Sequence, residues 1–328
     1  MISLNKEILV CTPIEGIEDV LPRLKKHFKI IYLPDIEYSD FEKHDFQNVV
    51  GIFTNPNRSK IYLSQKVFNY LKNLKFICTA STGTVHIDTE ESKRRNIDVI
   101  SLKNETDFLS KVTSTAELAF TLMMTTIRNI IPSSYDVYNA NWDCDKFIGK
   151  QVGDLKIGIL GMGRLGKIFS SYCNSFGAEV SFFDPYVEQA ACPESNKVEE
   201  INNFLLNLDV LSIHIHATED NKQFINESFL KLCSDNLLIV NTSRGEVVDE
   251  NDLVKYLKNH SNAFYATDVI SDEINAKENS PIYKYFHESY PNGNVVITPH
   301  IGGMSEGARF LAYNKSVDLL ESYLNEDI

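Results

Sequence analysis

Short apolar runs alternate with segments of helical period along most of this 328-residue chain. Residues 8–11 and 49–53 have the length of buried strands. Each run precedes a segment whose apolar residues recur every three or four positions, as on one face of a helix. Continuous apolar runs separated by helices are typical of parallel sheets that are covered on both faces. The alternation therefore predicts an α/β fold with doubly wound parallel sheets.

The length of the chain predicts two domains, because one ordinary domain rarely reaches this size. A second series of strands and helices opens at residues 156–160, and a last helix-period segment, 306–325, has no strand after it. We expect that last helix to return to the first domain. The predicted division is residues 1–105 with 300–328, around a second domain of residues 106–299.

Charge, hydropathy and cysteine content limit the partners and the compartment of the protein. The formal net charge of −13 argues against nucleic acid or an anionic membrane surface as the main partner. No apolar stretch approaches the ~20 residues of a membrane span, and the N-terminus lacks a signal-peptide pattern. The six cysteines form no Cys-x-x-Cys pair, which is typical of free thiols in a reducing cytoplasm.

A glycine motif opens the second series. Gly161, Gly163 and Gly166 form G-x-G-x-x-G directly after an apolar run and before an amphipathic segment. Such glycines let the backbone turn tightly and approach a pyrophosphate at a helix N-terminus. The next run ends at Asp184, where a carboxylate would hydrogen-bond the ribose of NAD and repel the 2′-phosphate of NADP. The set predicts NAD; the alternative is a glycine turn that is required only for packing.

Three polar residues follow later apolar runs. Arg244, Glu273 and His300 come after residues 237–240, 263–266 and 295–297, respectively. If these runs are neighbouring parallel strands, the three side chains lie at one edge of the sheet. Arginine can bind a carboxylate with two hydrogen bonds, histidine can transfer a proton near neutral pH, and glutamate can orient an imidazole. Each alone is more often an ordinary loop residue, but together they predict a catalytic site.

Three further features have both a functional and an ordinary interpretation. The loop of Ser81, Thr82 and Gly83 could form an anion-binding nest from backbone N–H groups, or simply a turn. Arg58 and Lys60 suit a phosphate or a polar acid tail, or an ordinary basic loop. His214 and His216 alternate along an apolar run, but without an evident third ligand we predict no metal site and place them in the cofactor cleft or the core.

These motifs, in this order and spacing, resemble the D-isomer-specific 2-hydroxyacid dehydrogenases over nearly the whole chain. The resemblance implies two Rossmann-like domains with a cleft between them. The discontinuous domain would bind the substrate, and the other would bind NAD. It also implies that Arg244 binds the substrate, that His300 is the acid/base and that Glu273 is its partner, while residues 81–83 hold the substrate carboxylate. The implied NAD contacts are Gly161, Gly163, Arg164, Leu165, Gly166, Asp184, Thr218, Thr242, Ser243, Asp268, Gly302 and Gly303.

The resemblance further implies a homodimer through the helix near residues 114–131, which we expect to end at Pro132. The chain departs from the family at Ile274 and His216, where proline is common. Within the family it looks most like the phosphoglycerate dehydrogenases, because Arg58 and Lys60 fall where basic residues of some members meet the substrate phosphate. The chain ends soon after its last helix, so we expect the short form without a regulatory domain.

The implied activity is hydride transfer between NAD and a D-2-hydroxy acid or 2-oxo acid. Candidate substrates are 3-phosphoglycerate and related phosphorylated or sugar-derived acids. One alternative is a glyoxylate- or hydroxypyruvate-type reductase. Another is a non-catalytic, NAD(H)-sensing regulatory protein on the same fold. A sensor would not need Arg244, Glu273 and His300 together, so the complete set favours an enzyme.

Overall fold

The computed structural model describes residues 6–56, 61–273 and 276–326. Within this part, the strands are β1 (Glu7–Val10), β2 (Lys29–Tyr32), β3 (Val49–Thr54), β4 (Phe76–Thr79), β5 (Asp98–Ile100), β6 (Lys156–Leu160), β7 (Glu179–Phe183), β8 (Asn196–Lys197), β9 (Val210–Ile213), β10 (Leu238–Asn241), β11 (Phe264–Thr267) and β12 (Val295–Ile297). The α-helices are α1 (Val20–His27), α2 (Gln65–Phe68), α3 (Thr89–Arg94), α4 (Thr106–Leu109), α5 (Ser114–Ile127), α6 (Ile130–Tyr138), α7 (Arg164–Ser175), α8 (Ile201–Phe204), α9 (Glu227–Leu230), α10 (Glu250–Asn259), α11 (Pro281–Ser289) and α12 (Glu306–Glu326). None of these helices is both long and apolar enough to cross a lipid bilayer.

The chain divides into two compact units. Unit 1 runs to Val112 and resumes at Met304, and unit 2 spans Thr113–Gly303. The expected boundaries were 105/106 and 299/300, so the change of unit follows His300 instead of preceding it. The physical reason is that the backbone N–H of His300 donates to the carbonyl of Asp268 at 3.0 Å, which holds this histidine in unit 2.

Unit 1 contains a five-stranded parallel sheet in the order β2-β1-β3-β4-β5. Apolar clusters fill both faces, as the continuous apolar runs predicted. α12 joins this unit by packing Tyr313, Val317 and Leu320 into one cluster. Its outer side carries Asp318, which accepts a 2.6 Å hydrogen bond from Arg23 of α1. The last helix therefore belongs to unit 1, which makes that unit discontinuous.

Unit 2 contains a seven-stranded parallel sheet in the order β12-β11-β10-β9-β6-β7-β8. Its two faces are also covered by apolar clusters. The chain order reverses between β6 and β9, and ligands of open parallel sheets bind beyond the carboxyl ends of the strands near such a reversal. The predicted α/β class with two doubly wound parallel sheets is confirmed.

The helix expected near residues 114–131 is two helices, which corrects the prediction that Pro132 ends it. α5 stops at Ile127, and Asn129 then adopts a left-handed conformation with φ of 52°. Pro132 lies in the first turn of α6. The first N–H groups of a helix have no partner within the helix, so proline costs little there.

Candidate active site

Arg244, Glu273 and His300 follow the three adjacent strands β10, β11 and β12, as the sequence predicted. His300 Nδ1 lies 2.5 Å from Glu273 Oε1, and both side chains are about one quarter exposed. Arg244 is half-buried, and its Nη1 donates to the carbonyl of Ser243 at 2.6 Å. The structure therefore pairs a histidine with a carboxylate at the edge of the sheet where the strands have their carboxyl ends, and the arginine follows a strand at the same edge.

Asp268 holds the turn that carries His300. One carboxylate oxygen accepts from Thr298 Oγ1 at 2.6 Å and from the N–H of Ile301 at 2.8 Å, and the other accepts from the N–H of Gly302 at 2.7 Å. His300 itself has φ of 53°, which is uncommon for a residue other than glycine. Burial raises the pKa of the Asp268 carboxyl, and these hydrogen bonds oppose that change. The buried carboxylate therefore fixes an unusual backbone conformation under the imidazole.

The turn that carries Arg244 is fixed by Asn241 and Gly245. Asn241 Oδ1 accepts from the N–H of Ser243 at 3.0 Å, and its Nδ2 donates to the Arg244 carbonyl at 3.0 Å. Gly245 touches the backbone that leads to Glu273, because a Cβ built there would lie 2.1 Å from the carbonyl carbon of Ile270. Glycine thus allows the two loops to meet.

Replacing Gly245 with alanine should therefore separate these loops. We expect a loss of about 2 kcal/mol in the free energy of unfolding, because the new methyl group meets backbone that cannot rotate away. Chemical denaturation measures this loss. Gly307→Ala is the matched control, since its Cβ would meet nothing within 4 Å. Equal stability of the two variants would contradict the close approach of the loops.

The glycine motif has the geometry that a dinucleotide requires. Gly161 adopts φ of 95°, and a Cβ on Gly166 would lie 2.2 Å from the carbonyl oxygen of Gly161, so side chains are excluded from both. A Cβ on Gly163 would meet nothing within 4 Å, which leaves open space beside the backbone. α7 begins at Arg164, followed by Leu165, and this N-terminus presents its N–H groups to that space.

Asp184 and Thr242 add polar groups to this region. Asp184 follows β7, and its carboxylate accepts from the N–H groups of Met162 and Tyr186, each at 2.8 Å. Its bond to Met162 holds the glycine loop in place, and the side chain is half-buried. The hydroxyl of Thr242 is buried and has no hydrogen-bond partner among the residues that the structure describes. An orphaned hydroxyl beyond β10 suits a hydrogen bond to a bound nucleotide, so the residues fit NAD.

Residues 120–302 match the family model for the NAD binding domain of D-isomer specific 2-hydroxyacid dehydrogenases. The glyoxylate reductase of Pyrococcus horikoshii is 30% identical over 255 residues, which cover 75% of this chain and 72% of that protein. The chain belongs to the D-isomer specific 2-hydroxyacid dehydrogenase family. The predicted family, the NAD cofactor and the dehydrogenase class are thereby confirmed.

Other members of the family extend the comparison. The D-3-phosphoglycerate dehydrogenase of Archaeoglobus fulgidus is 28% identical over 253 residues, which cover 77% of this chain but only 46% of that protein. This chain therefore spans about half the length of that relative. The solved D-lactate dehydrogenase of Aquifex aeolicus superposes with a TM-score of 0.80 at 22% identity, covering 98% of this chain and 96% of that one. This likeness shows the shared fold.

The remaining residues with an implied NAD role are near the same strand ends of unit 2. Thr218 follows β9 and caps a short 3-10 helix by accepting from the N–H of Asn221 at 3.3 Å. Ser243 donates through Oγ to Asn241. The carbonyl of Gly302 accepts from Ser114 Oγ at 2.7 Å, and Gly303 continues that turn.

His214 is a packed residue and not part of a strand pair of histidines. β9 ends at Ile213, so His214 and His216 lie beyond this strand and do not alternate along it. The His214 ring lies 5.2 Å from the ring of Phe169, and its Nε2 is 2.9 Å from Ser212 Oγ. Burial lowers the pKa of His214 to about 4, which keeps the ring neutral. Among the described residues, no three histidine, cysteine or acidic side chains group as metal ligands.

In unit 1 the loop of Ser81, Thr82 and Gly83 follows β4, as expected. Ser81 Oγ donates to the carbonyl of Gly83 at 2.7 Å, which closes the loop into a tight turn. Arg58 and Lys60 lie outside the residues that the structure describes. Their interpretation as phosphate-binding groups therefore stays a prediction.

Sequence reasoning missed Glu250. This side chain is 5% exposed, and its carboxylate accepts from the N–H of Ser271 at 2.7 Å and from Ser280 Oγ at 2.6 Å. It thus holds the loop that carries Glu273 near both of its ends. In the sequence Glu250 resembles any acidic residue in the first turn of a helix, where it complements the helix dipole. Only the folded structure shows its hydrogen bonds to Ser271 and Ser280.

Proposed function

We propose that this NAD-dependent dehydrogenase interconverts a 2-oxo acid and the D-2-hydroxy acid, with His300 as acid/base. The observation that carries this proposal is the 2.5 Å contact between His300 Nδ1 and Glu273. These two residues and Arg244 follow three neighbouring strands of the same sheet. A carboxylate hydrogen-bonded to Nδ1 orients the ring, which leaves Nε2 to exchange a proton with the substrate oxygen.

The roles of the residues follow from their chemistry. Arg244 offers two parallel N–H donors for the substrate carboxylate and polarises the adjacent carbonyl. In the direction of reduction, His300 would give the proton on Nε2 to the carbonyl oxygen, while Glu273 holds the ring through Nδ1. During oxidation, His300 takes the hydroxyl proton. NADH would supply the hydride for reduction, and NAD⁺ would accept it for oxidation.

We propose that the glycine motif and its neighbours bind NAD. Gly161, Gly163 and Gly166 would let the backbone approach the pyrophosphate at the α7 N-terminus. Asp184 would bind the adenosine ribose, and the orphaned hydroxyl of Thr242 would receive a partner. The other proposed contacts are Arg164, Leu165, Thr218, Ser243, Asp268, Gly302 and Gly303.

The substrate is an acid that carries a phosphate or a sugar-derived tail in our proposal, and residues 81–83 bind its carboxylate. The relatives include D-3-phosphoglycerate dehydrogenases, and Arg58 and Lys60 supply two cations that are two positions apart in the sequence. The glyoxylate reductases among the relatives favour a second candidate, a plain short 2-oxo acid.

A substrate screen distinguishes these candidates. NADH and NADPH consumption is measured side by side with phosphorylated and plain 2-oxo acids. We expect NADH to be preferred and the phosphorylated acids to be reduced with the lower KM. Arg58→Ala should raise KM for phosphorylated acids about tenfold, since a hydrogen bond to a charged group contributes about 1.5 kcal/mol or more. An equal effect on both kinds of acid would contradict the phosphate assignment.

We also propose a cytoplasmic homodimer. All six cysteines are free, which suits a reducing compartment. α5 packs Ala119, Leu122 and Met123 into the core of unit 2. We therefore propose that the dimer interface includes the segment that follows the expected helix. There Tyr138, Trp142 and Ile148 are 84%, 90% and 82% exposed. Exposed large apolar side chains this close in sequence suit a protein interface. Light scattering should give twice the mass of one chain.

A further inference from the structure

His86 is a fully buried histidine in unit 1 that the proposed mechanism does not use. It lies shortly after the loop of residues 81–83 and just before Ile87, which forms a bridge with Leu63. Its Nε2 is 3.3 Å from Thr79 Oγ1 at the end of β4, and that hydroxyl is 2.8 Å from Ser81 Oγ. Buried polar groups thus connect the imidazole to the loop.

The donors and acceptors of these hydrogen bonds can be assigned from the one at the end of the series, which the Gly83 carbonyl accepts. The Gly83 carbonyl can only accept, so Ser81 donates to it at 2.7 Å. Ser81 has a single hydroxyl hydrogen and must therefore accept from Thr79. Thr79 in turn must accept from His86, which requires the proton on Nε2. Every donor then points from the imidazole toward the tip of the loop.

The other nitrogen of His86 supports the same tautomer. Nδ1 is buried and has no hydrogen-bond partner among the described residues. A buried N–H without a partner is rarer and costlier than an unused lone pair, so the proton belongs on Nε2. Burial also lowers the pKa of His86 to about 4, so that the ring is neutral at physiological pH.

We propose that His86 is a positioning residue that holds the 81–83 loop in its closed turn through Thr79 and Ser81. The consecutive hydrogen bonds polarise one another and fix the carbonyl of Gly83 toward the interior of the loop. The backbone N–H groups of the loop then remain available to the substrate carboxylate. This role rests on the proposed function, in which residues 81–83 bind that carboxylate.

Thr79→Val tests the connection, because it removes the hydroxyl at the centre while nearly keeping the side-chain shape. We expect KM for the 2-oxo acid to rise about tenfold, with kcat within about twofold and the Kd of NADH unchanged, since binding lost equally in the ground and transition states appears in KM. Thr54→Val is the matched control. Thr54 is equally buried at the end of the adjacent β3 but is not part of these bonds. His86→Phe should reproduce the effect of Thr79→Val.

A second measurement does not depend on activity. Nitrogen-15 NMR of the histidine-labelled protein should show His86 neutral at pH 7, with the proton on Nε2. A proton on Nδ1, or an unchanged KM in Thr79→Val despite normal turnover, would overturn the role of His86. If the wild-type protein consumes no NADH with any 2-oxo acid, the proposed function fails and this role falls with it. The two failures are therefore distinguishable.

Discussion

Replacing His300 with glutamine should lower kcat about a hundredfold or more, because general acid–base catalysis contributes roughly that much. The Kd of NADH should stay unchanged, since the nucleotide is proposed to be held by the glycine loop, Asp184 and backbone groups, and not by the His300 imidazole. Glutamine keeps a polar side chain but cannot move a proton near neutral pH. Stopped-flow measurement of NADH consumption at saturating 2-oxo acid gives kcat directly.

The left-handed backbone at His300 requires a control, since a new side chain could act by straining the turn. Asparagine tolerates this conformation better than most residues. We therefore expect His300→Asn to be as inactive as His300→Gln and at least as stable. Recovery of turnover in the asparagine variant alone would mean that backbone strain, and not the missing imidazole, caused the loss.

Arg244→Ala should lower kcat/KM for the 2-oxo acid about a thousandfold. Each hydrogen bond between charged groups contributes about 1.5–3 kcal/mol, so two contribute about 4 kcal/mol, and each 1.4 kcal/mol is a factor of ten. Arg244→Lys keeps the charge but loses the planar pair of donors, so we expect an intermediate loss of about a hundredfold. Steady-state kinetics with a fixed NADH concentration checks both values.

The Kd of NADH, measured by fluorescence titration, serves as the control for the Arg244 variants. It should match that of the wild-type protein, because Arg244 is assigned to the substrate and not to the cofactor. A loss of NADH binding equal to the loss in kcat/KM would instead place Arg244 in the cofactor site.

Much of the fold followed from the sequence because burial leaves a local signature. Strands buried on both faces are mainly apolar, so β1, β6 and β10 were recognisable as short apolar runs. An aspartate directly before a segment of helical period is typical of an N-cap, and the Asp249 carboxylate accepts from the N–H groups of Asn251 and Asp252 at the start of α10. The split between α5 and α6 was not readable, since it depends on one left-handed residue, Asn129, in an otherwise helical pattern.

The placement of Arg244, Glu273 and His300 was predictable because the carboxyl ends of adjacent parallel strands lie at one edge of the sheet, whatever the loop details. The residues that support them were not. Their hydrogen-bond partners are distant in the chain or are backbone groups, as for Asp268, Glu250 and His86. Neither kind of partner leaves a pattern in the sequence. His86 in particular resembles any loop histidine until its burial and its contact with Thr79 are known.

The most direct test of the central claim measures NADH consumption and the chirality of the product in one reaction. Wild-type protein is incubated with NADH and each acid of the 2-oxo acid screen, and the product is resolved on a chiral column. We predict that at least one acid is reduced with stoichiometric loss of NADH, and that the product is the D-2-hydroxy acid. NADH binding without consumption for every acid would indicate a sensor, and an L-product would contradict the assigned arrangement of Arg244 and His300.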